Sequence, residues 1–156
     1  MQSLVLLIWI TLCAEQDIRL RQVTDGLTLG GGCCALLYIF STGHTWLGAS
    51  AEQGAWALAI SMALTLPAHL AQHLTAGDVK LLGTLALATD PMHLLGTVLG
   101  AVALALLWLY TGHRVWAQLS RKIKERLANL APSAPIAPPL APFMLGGFLI
   151  ALFWIH

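Results

Sequence analysis

Residues 91–113 read Pro-Met-His-Leu-Leu-Gly-Thr-Val-Leu-Gly-Ala-Val-Ala-Leu-Ala-Leu-Leu-Trp-Leu-Tyr-Thr-Gly-His, and they decide the fold. These 23 residues lie between Asp90 and Arg114 and carry no Asp, Glu, Lys or Arg. A helix of about 20 apolar residues crosses a hydrocarbon core. The same pattern recurs outward in both directions. Asp25 to Glu52 encloses 26 uncharged residues, Glu52 to Asp78 encloses 25, and no charge follows Arg126 apart from the chain terminus. Spans are expected at 2–16, 27–43, 55–74, 78–90, 93–112 and 139–155. The fourth is short, about 20 Å at 1.5 Å per residue. The fold class that follows is all-α, a polytopic membrane helical bundle of about six transmembrane helices in one domain, 1–156.

Composition excludes the alternatives. Of 156 residues, 58% are apolar and 10% are charged, against about 25% charged in ordinary soluble domains. That is too few to clothe a soluble core. A net charge of +1 supplies no field to hold nucleic acid. Cys13, Cys33 and Cys34 form no C-x-x-C pair and read as small packing residues. The apolar run Leu4–Ala14 lacks the basic flank of a signal peptide, so it is taken as the first span.

Charge sets the orientation. With six spans, the loops at 15–26, 75–80 and 113–138 face one side and hold all eight basic residues, Arg19, Arg21, Lys80, Arg114, Arg121, Lys122, Lys124 and Arg126. The other side receives Glu52 and Asp90. The positive-inside rule makes the first side cytoplasmic. Within it, 113–131 repeats Leu119, Ile123, Leu127 and Leu130 at helical spacing among basic residues. This reads as a basic amphipathic helix lying on the lipid bilayer surface. The prolines from Pro132 to Pro142 delay regular helix until about Pro139.

Two acids stand at that cytoplasmic boundary. Asp17 closes the first span, and Asp78 opens the fourth, after Gly77. Asp78 also suits a helix N-cap or first turn, and Asp17 suits a surface pair with Arg19 or Arg21. Brought together by packing of spans one and four, two carboxylates resist joint ionisation, so one stays protonated and one charged. One takes a proton from water while the other polarises a peptide carbonyl. That chemistry needs no metal and no cofactor.

Asp17-Ile18-Arg19-Leu20-Arg21-Gln22-Val23-Thr24-Asp25-Gly26-Leu27-Thr28 resembles the first signature of the type IV prepilin peptidases, an Asp followed by a basic stretch and a Leu-Thr. Thr75-Ala76-Gly77-Asp78-Val79-Lys80-Leu81-Leu82 resembles their second, Gly-x-Gly-Asp-x-Lys-Leu, the mark of a GxGD-type membrane aspartyl protease. The Pro- and Gly-bearing stretch from Ala134-Pro135 to Gly146-Gly147 is similar to the family's entry into its last helix. The resemblance implies an aspartic-type endopeptidase of the bacterial inner membrane with its site facing the cytoplasm. It implies catalytic Asp17 and Asp78, support from Gly77, Lys80 and Arg19, and partners that are prepilin-like precursors with a basic leader and an apolar helix. Lys80 is placed to hold the charge of Asp78. The family's zinc motif and added N-terminal region are not found before the first span, so cleavage without N-methylation is expected. Thr75 replaces the family's first Gly, and Thr24 its Pro.

Other features are assigned quieter roles. His69 and His73 have metal-ligand spacing without a third ligand and read as hydrogen-bonded residues. Gly30-Gly31-Gly32 lacks the flanks of a phosphate loop and reads as a point of close helix approach. Asp25 reads as a turn residue. Two other classes of function remain open. One is a proton-coupled transporter or channel subunit, which would show flux without a cut product. The other is an inactive pilin-binding assembly subunit, which would survive Asp→Asn replacement.

Overall fold

The computed structural model describes residues 2–132 and 138–155. Among them are seven α-helices, one 3-10 turn and no strand. Helix α1 covers Gln2–Leu20 and ends where Arg21 turns to φ 52°. Helix α2 covers Asp25–Thr42 and closes on Gly43 in the left-handed region, φ 74°. Its N–H reaches the Ile39 carbonyl at 2.8 Å, the expected use of a Gly at a helix end. Helix α3, Ala51–Leu70, opens with a reciprocal cap between Ser50 and Gln53. Helix α4, Ala76–Ala88, opens with the same device between Thr75 and Asp78. Helix α5, Pro91–Gln118, starts with Pro at its first position, and the Asp90 side chain accepts the His93 N–H at 2.8 Å. Helix α6 is Arg121–Arg126, a 3-10 turn follows at Ala128–Leu130, and α7 is Ala141–Ile155.

Every expected span is helical, with its ends moved by a few residues. Spanning character is narrower than expected. Among the described residues, α5 alone is both long and apolar enough to cross a membrane, and α7 is apolar but shorter. By length and composition, then, one of the six expected spans is marked out among the described residues. The reasons are local. Helix α1 carries Glu15, Asp17 and Arg19 near its end. Helices α2 and α3 are diluted by Gly, Ser, Thr and Gln. Helix α4 has 13 residues.

The basic segment at 113–131 is likewise not one amphipathic helix. Helix α5 absorbs its start, and Leu119 is extended, at φ −70° and ψ 141°. The six-residue α6 and the 3-10 turn then fold back on α5. Trp108 Nε1 donates to the Leu130 carbonyl at 3.1 Å, and Pro132 lies against Gly112. The indole bond and the apolar contact of Leu130 with the core give the segment more than a surface helix would have.

Helix α4 forms the centre, with Leu81 through Ala86 all buried. It packs between α2 and α3, while α1 packs on α7 and α7 on α5. The tightest approach joins α5 to α7. A Cβ on Gly100 would stand 2.8 Å from the Gly147 Cα, and one on Gly147 would overlap the Thr97 carbonyl oxygen. Small residues of this kind let helix backbones meet, the usual adhesive between helices in lipid. Gly31 serves α1 and α2 in the same way, with the Trp9 ring in the space a Cβ would need. Large apolar side chains stand on the outside. Phe40, Tyr110, Phe153 and Trp154 are each more than four-fifths exposed. Cys13 is buried as expected, whereas Cys33 and Cys34 are exposed on α2, so a packing role fits only the first.

Candidate active site

Asp78 is the third residue of α4, where an acid serves the helix twice. Its N–H donates to Thr75 Oγ1 at 3.2 Å. Its Oδ2 accepts the Thr75 N–H at 3.0 Å and the Thr75 hydroxyl at 2.7 Å. The positive end of the α4 dipole also favours a carboxylate here. Thr75 has φ −78°, an ordinary extended conformation, so the residue standing for the family's Gly is unstrained. A Cβ on Gly77 would meet only Thr75 Oγ1, at 3.6 Å, and the backbone of Gly77 does not require glycine.

Asp17 lies in the last turn of α1, a poor place for an acid because that end of the dipole is negative. A second helix offsets this. Asp17 Oδ2 accepts the N–H of Ala141, the first residue of α7, at 3.0 Å. Asp17 is 6% exposed, whereas Asp78 is half-buried. Each carboxylate therefore has Oδ2 fixed by the N-terminal end of a helix, α7 for one and α4 for the other.

The charges of Asp78 and Arg21 both act on Asp17, which puts the two acids within electrostatic reach. They do not meet through side-by-side packing of α1 and α4, as the sequence reading supposed. Helix α1 lies mainly on α7, and α4 lies between α2 and α3. The two acids stand at helix ends, within reach of one another's charge. Two carboxylates in unlike surroundings, one closed off and one partly open, are what paired acid and base roles require.

The other expected site residues take different partners. Lys80 Nζ lies 2.6 Å from Asp25 Oδ1, so its charge goes to Asp25 rather than to Asp78. That pair ties the start of α4 to the start of α2, and it makes Asp25 more than a turn residue. Arg19 pairs with Glu15 at 2.9 Å on the exposed face of α1 and does not bind Asp17. Arg21 instead donates to Asn129, through Nε to Oδ1 at 3.1 Å and through Nη2 to the carbonyl at 3.0 Å. His69 Nδ1 lies 2.8 Å from the Leu74 carbonyl. Among the described residues, no group of three His, Cys, Asp or Glu is arranged to hold a metal ion.

Three contributors escaped the sequence reading. Asn129 donates from Nδ2 to the Ile18 carbonyl at 2.7 Å and closes the end of α1 beside Asp17. Gln16 Oε1 accepts both the N–H and the hydroxyl of Thr24, at 3.1 and 3.0 Å. A Pro at 24 has no N–H to give, so the departure at Thr24 brings its own tether. The third is the Ala141 N–H. An unpaired-looking Asn in a basic segment and the Gln16 neighbour of Asp17 are weak signals. A backbone amide leaves none.

The sequence pattern of the type IV leader peptidase family matches residues 4–110, from α1 through most of α5. No curated protein and no solved structure matches the chain.

Proposed function

The chain belongs to the type IV leader peptidase family, and from that premise we propose that it is a membrane aspartyl endopeptidase with Asp17 and Asp78 as its catalytic pair. The observation that carries the reading is the pair itself. Two acids distant in sequence are held at one end of the bundle, each by the N-terminus of a different helix. The substrate is a prepilin-like precursor with a short basic leader and an apolar helix, cut at the cytoplasmic boundary of a bacterial inner membrane.

Water enters between the carboxylates. The ionised one removes its proton as the oxygen attacks the scissile carbonyl carbon, and the protonated one donates to the carbonyl oxygen. The tetrahedral adduct then collapses, with a proton passing to the leaving amine. Asp78, partly open, is the group that water reaches, and Asp17 is the more closed off of the two. Thr75 holds Oδ2 of Asp78 and Ala141 holds Oδ2 of Asp17, which limits reorganisation in the reaction.

A multi-pass setting is part of the same proposal. It is supported by the apolar exterior of α2, α5 and α7, by the spanning character of α5, and by the gathering of basic residues at the end that holds both acids. Helices shorter or more polar than a lone span are accommodated when other helices screen them from lipid.

The test is leader removal from a co-expressed prepilin-like precursor. Wild type cuts, whereas Asp17→Asn and Asp78→Asn, present in the membrane at wild-type level, do not. Cleavage by both variants would end the two-aspartate assignment. Movement of protons without a cut product would favour a transporter.

A further inference from the structure

Three basic residues stand close in sequence to the two acids, and two of them are taken up by other carboxylates. Arg19 pairs with Glu15, and Lys80 pairs with Asp25. Arg21 is held differently. It directly follows α1, and its N–H closes the last turn on the Asp17 carbonyl at 2.9 Å. Its φ of 52° then turns the chain back. That is the left-handed region, where a side chain is disfavoured and Gly is the usual occupant. The side chain that stands there is gripped twice by one neighbour. Nε donates to Asn129 Oδ1 at 3.1 Å, and Nη2 donates to the Asn129 carbonyl at 3.0 Å.

Both of these acceptors are neutral. They orient the guanidinium fork and leave its charge in place, whereas a carboxylate there would offset it. Asn129 also fixes where that charge stands. Its Nδ2 donates to the Ile18 carbonyl at 2.7 Å, and Ile18 is the residue after Asp17. One carboxamide therefore spans from the neighbour of Asp17 to the Arg21 fork. The charge of Arg21 reaches Asp17 accordingly. The other titratable groups that reach Asp17 are Cys13 on its own helix and Asp78 on α4. Helix α7 and its entrance offer the backbone amides of Ala141 and Leu140, and the 3-10 turn offers the neutral Asn129. Arg21 is the positive member of that set.

We propose that Arg21 is a positioning residue of the peptidase, aimed by Asn129 to serve as the counter-charge of the Asp17–Asp78 pair. The proposal rests on the peptidase reading, and it gives the segment after α6 a part in the chemistry. Two acids that share one proton carry one negative charge between them. A fixed positive charge beside Asp17 favours that singly ionised state over the doubly protonated one. The pair therefore stays competent to lower pH with Arg21 than without it. Arg21 acts through Asp17 and touches no reacting atom.

The test uses the full chain in phosphatidylethanolamine–phosphatidylglycerol vesicles, with kcat/KM for a prepilin-like precursor followed against pH. Arg21→Gln drops the charge and keeps a donor for Asn129. It is expected to move the acid limb of the profile up by roughly half to one pH unit, at or below the low end of what an adjacent Arg does to a carboxylate. Arg21→Lys keeps the charge and returns the limb most of the way. Asn129→Ala moves it in the same direction as Arg21→Gln, by less. Arg121→Met removes an equal charge from a side chain that is 94% exposed and leaves the limb where it is. An equal drop in rate at every pH, with the limb unmoved, would make Arg21 a structural residue and overturn the proposal. Dicyclohexylcarbodiimide, which labels protonated carboxyls, gives a readout that needs no cutting. Labelling of the Asp17–Asp78 pair, located by mass spectrometry, is expected to persist to higher pH in Arg21→Gln than in wild type. That shift supports the counter-charge even if no precursor is cut, in which case the peptidase reading alone fails. Identical labelling curves for wild type, Arg21→Gln and Asn129→Ala overturn the proposal whether or not cutting occurs.

Discussion

The Asp17 carboxylate and the Ala141 N–H meet at 3.0 Å across 124 residues of chain. The contact joins the end of the first helix to the start of α7, and it is buried. It satisfies one of the orphan amides at a helix start and an acid that its own helix disfavours. Each end of this bond offsets a cost that the other's helix carries.

Helix α7 is held in position by its glycines. Gly147→Ala puts a methyl group into the Thr97 carbonyl and the Ala101 amide. The expected loss is about 1–3 kcal/mol, the cost of overpacking. Proteolysis falls with it, because Ala141 moves away from Asp17. Gly30→Ala meets nothing within 4 Å and is the matched control. Thermal unfolding in detergent and leader removal, measured on both variants, check the contrast.

Thr75→Ala removes both the cap of α4 and the hydroxyl on Asp78. Stability falls by about 1 kcal/mol, as for other N-cap losses. Cleavage falls further than stability does, since Asp78 Oδ2 keeps only the backbone donor. Thr75→Ser restores both. The comparison requires kcat for the three proteins at equal membrane abundance, and equal kcat in all three would remove Thr75 from the site.

Asn129→Ala opens the junction between α1 and the basic segment. It loses the side-chain bonds to Ile18 and to Arg21 Nε, keeps the backbone bond to Arg21 Nη2, and is expected to destabilise the junction by about 1–2 kcal/mol. Hydrogen exchange is expected to rise at residues 18–21 and 121–130 and to stay unchanged in α4. Uniform exchange across the chain would contradict a local role.

The Lys80–Asp25 pair is partly exposed, with side chains 37% and 68% accessible. A double-mutant cycle with Lys80→Met and Asp25→Asn is expected to give a coupling below about 1 kcal/mol, weakened further by salt. Both single variants keep cleavage within a few-fold. A loss as large as that of Asp78→Asn would place Lys80 in the chemistry.

The helices were legible because each rests on local signals. Apolar runs between charges and the place of Asp78 at a helix start act within a few residues, and in the structure Gly43, Pro91 and the Thr75–Asp78 cap set the helix ends. Positions 113–131 misled because periodicity reports an apolar face without saying whether the chain continues straight. Leu130 is drawn to Trp108 instead, and the helix breaks. Helix adjacency was misread for a related reason. Asp17 lies within reach of the charge of Asp78, but α1 meets α7 through a backbone amide, and α7 is seated on α5 by Gly100 and Gly147. Close backbone approach and main-chain donors have no residue type of their own, so no spacing announces them. Lys80 was assigned to the nearest acid in sequence, while folding offered it Asp25, 55 residues away.

The bond between Asp17 and Ala141 also sets an order of events during synthesis. The ribosome delivers both acids long before it delivers α7. Until residue 141 is made and inserted, Asp17 has no fixed amide and the pair is unassembled. A nascent chain that already holds both acids therefore still lacks the amide that fixes Asp17, which arrives only with α7. Insertion of α7 is the step that completes the surroundings of Asp17.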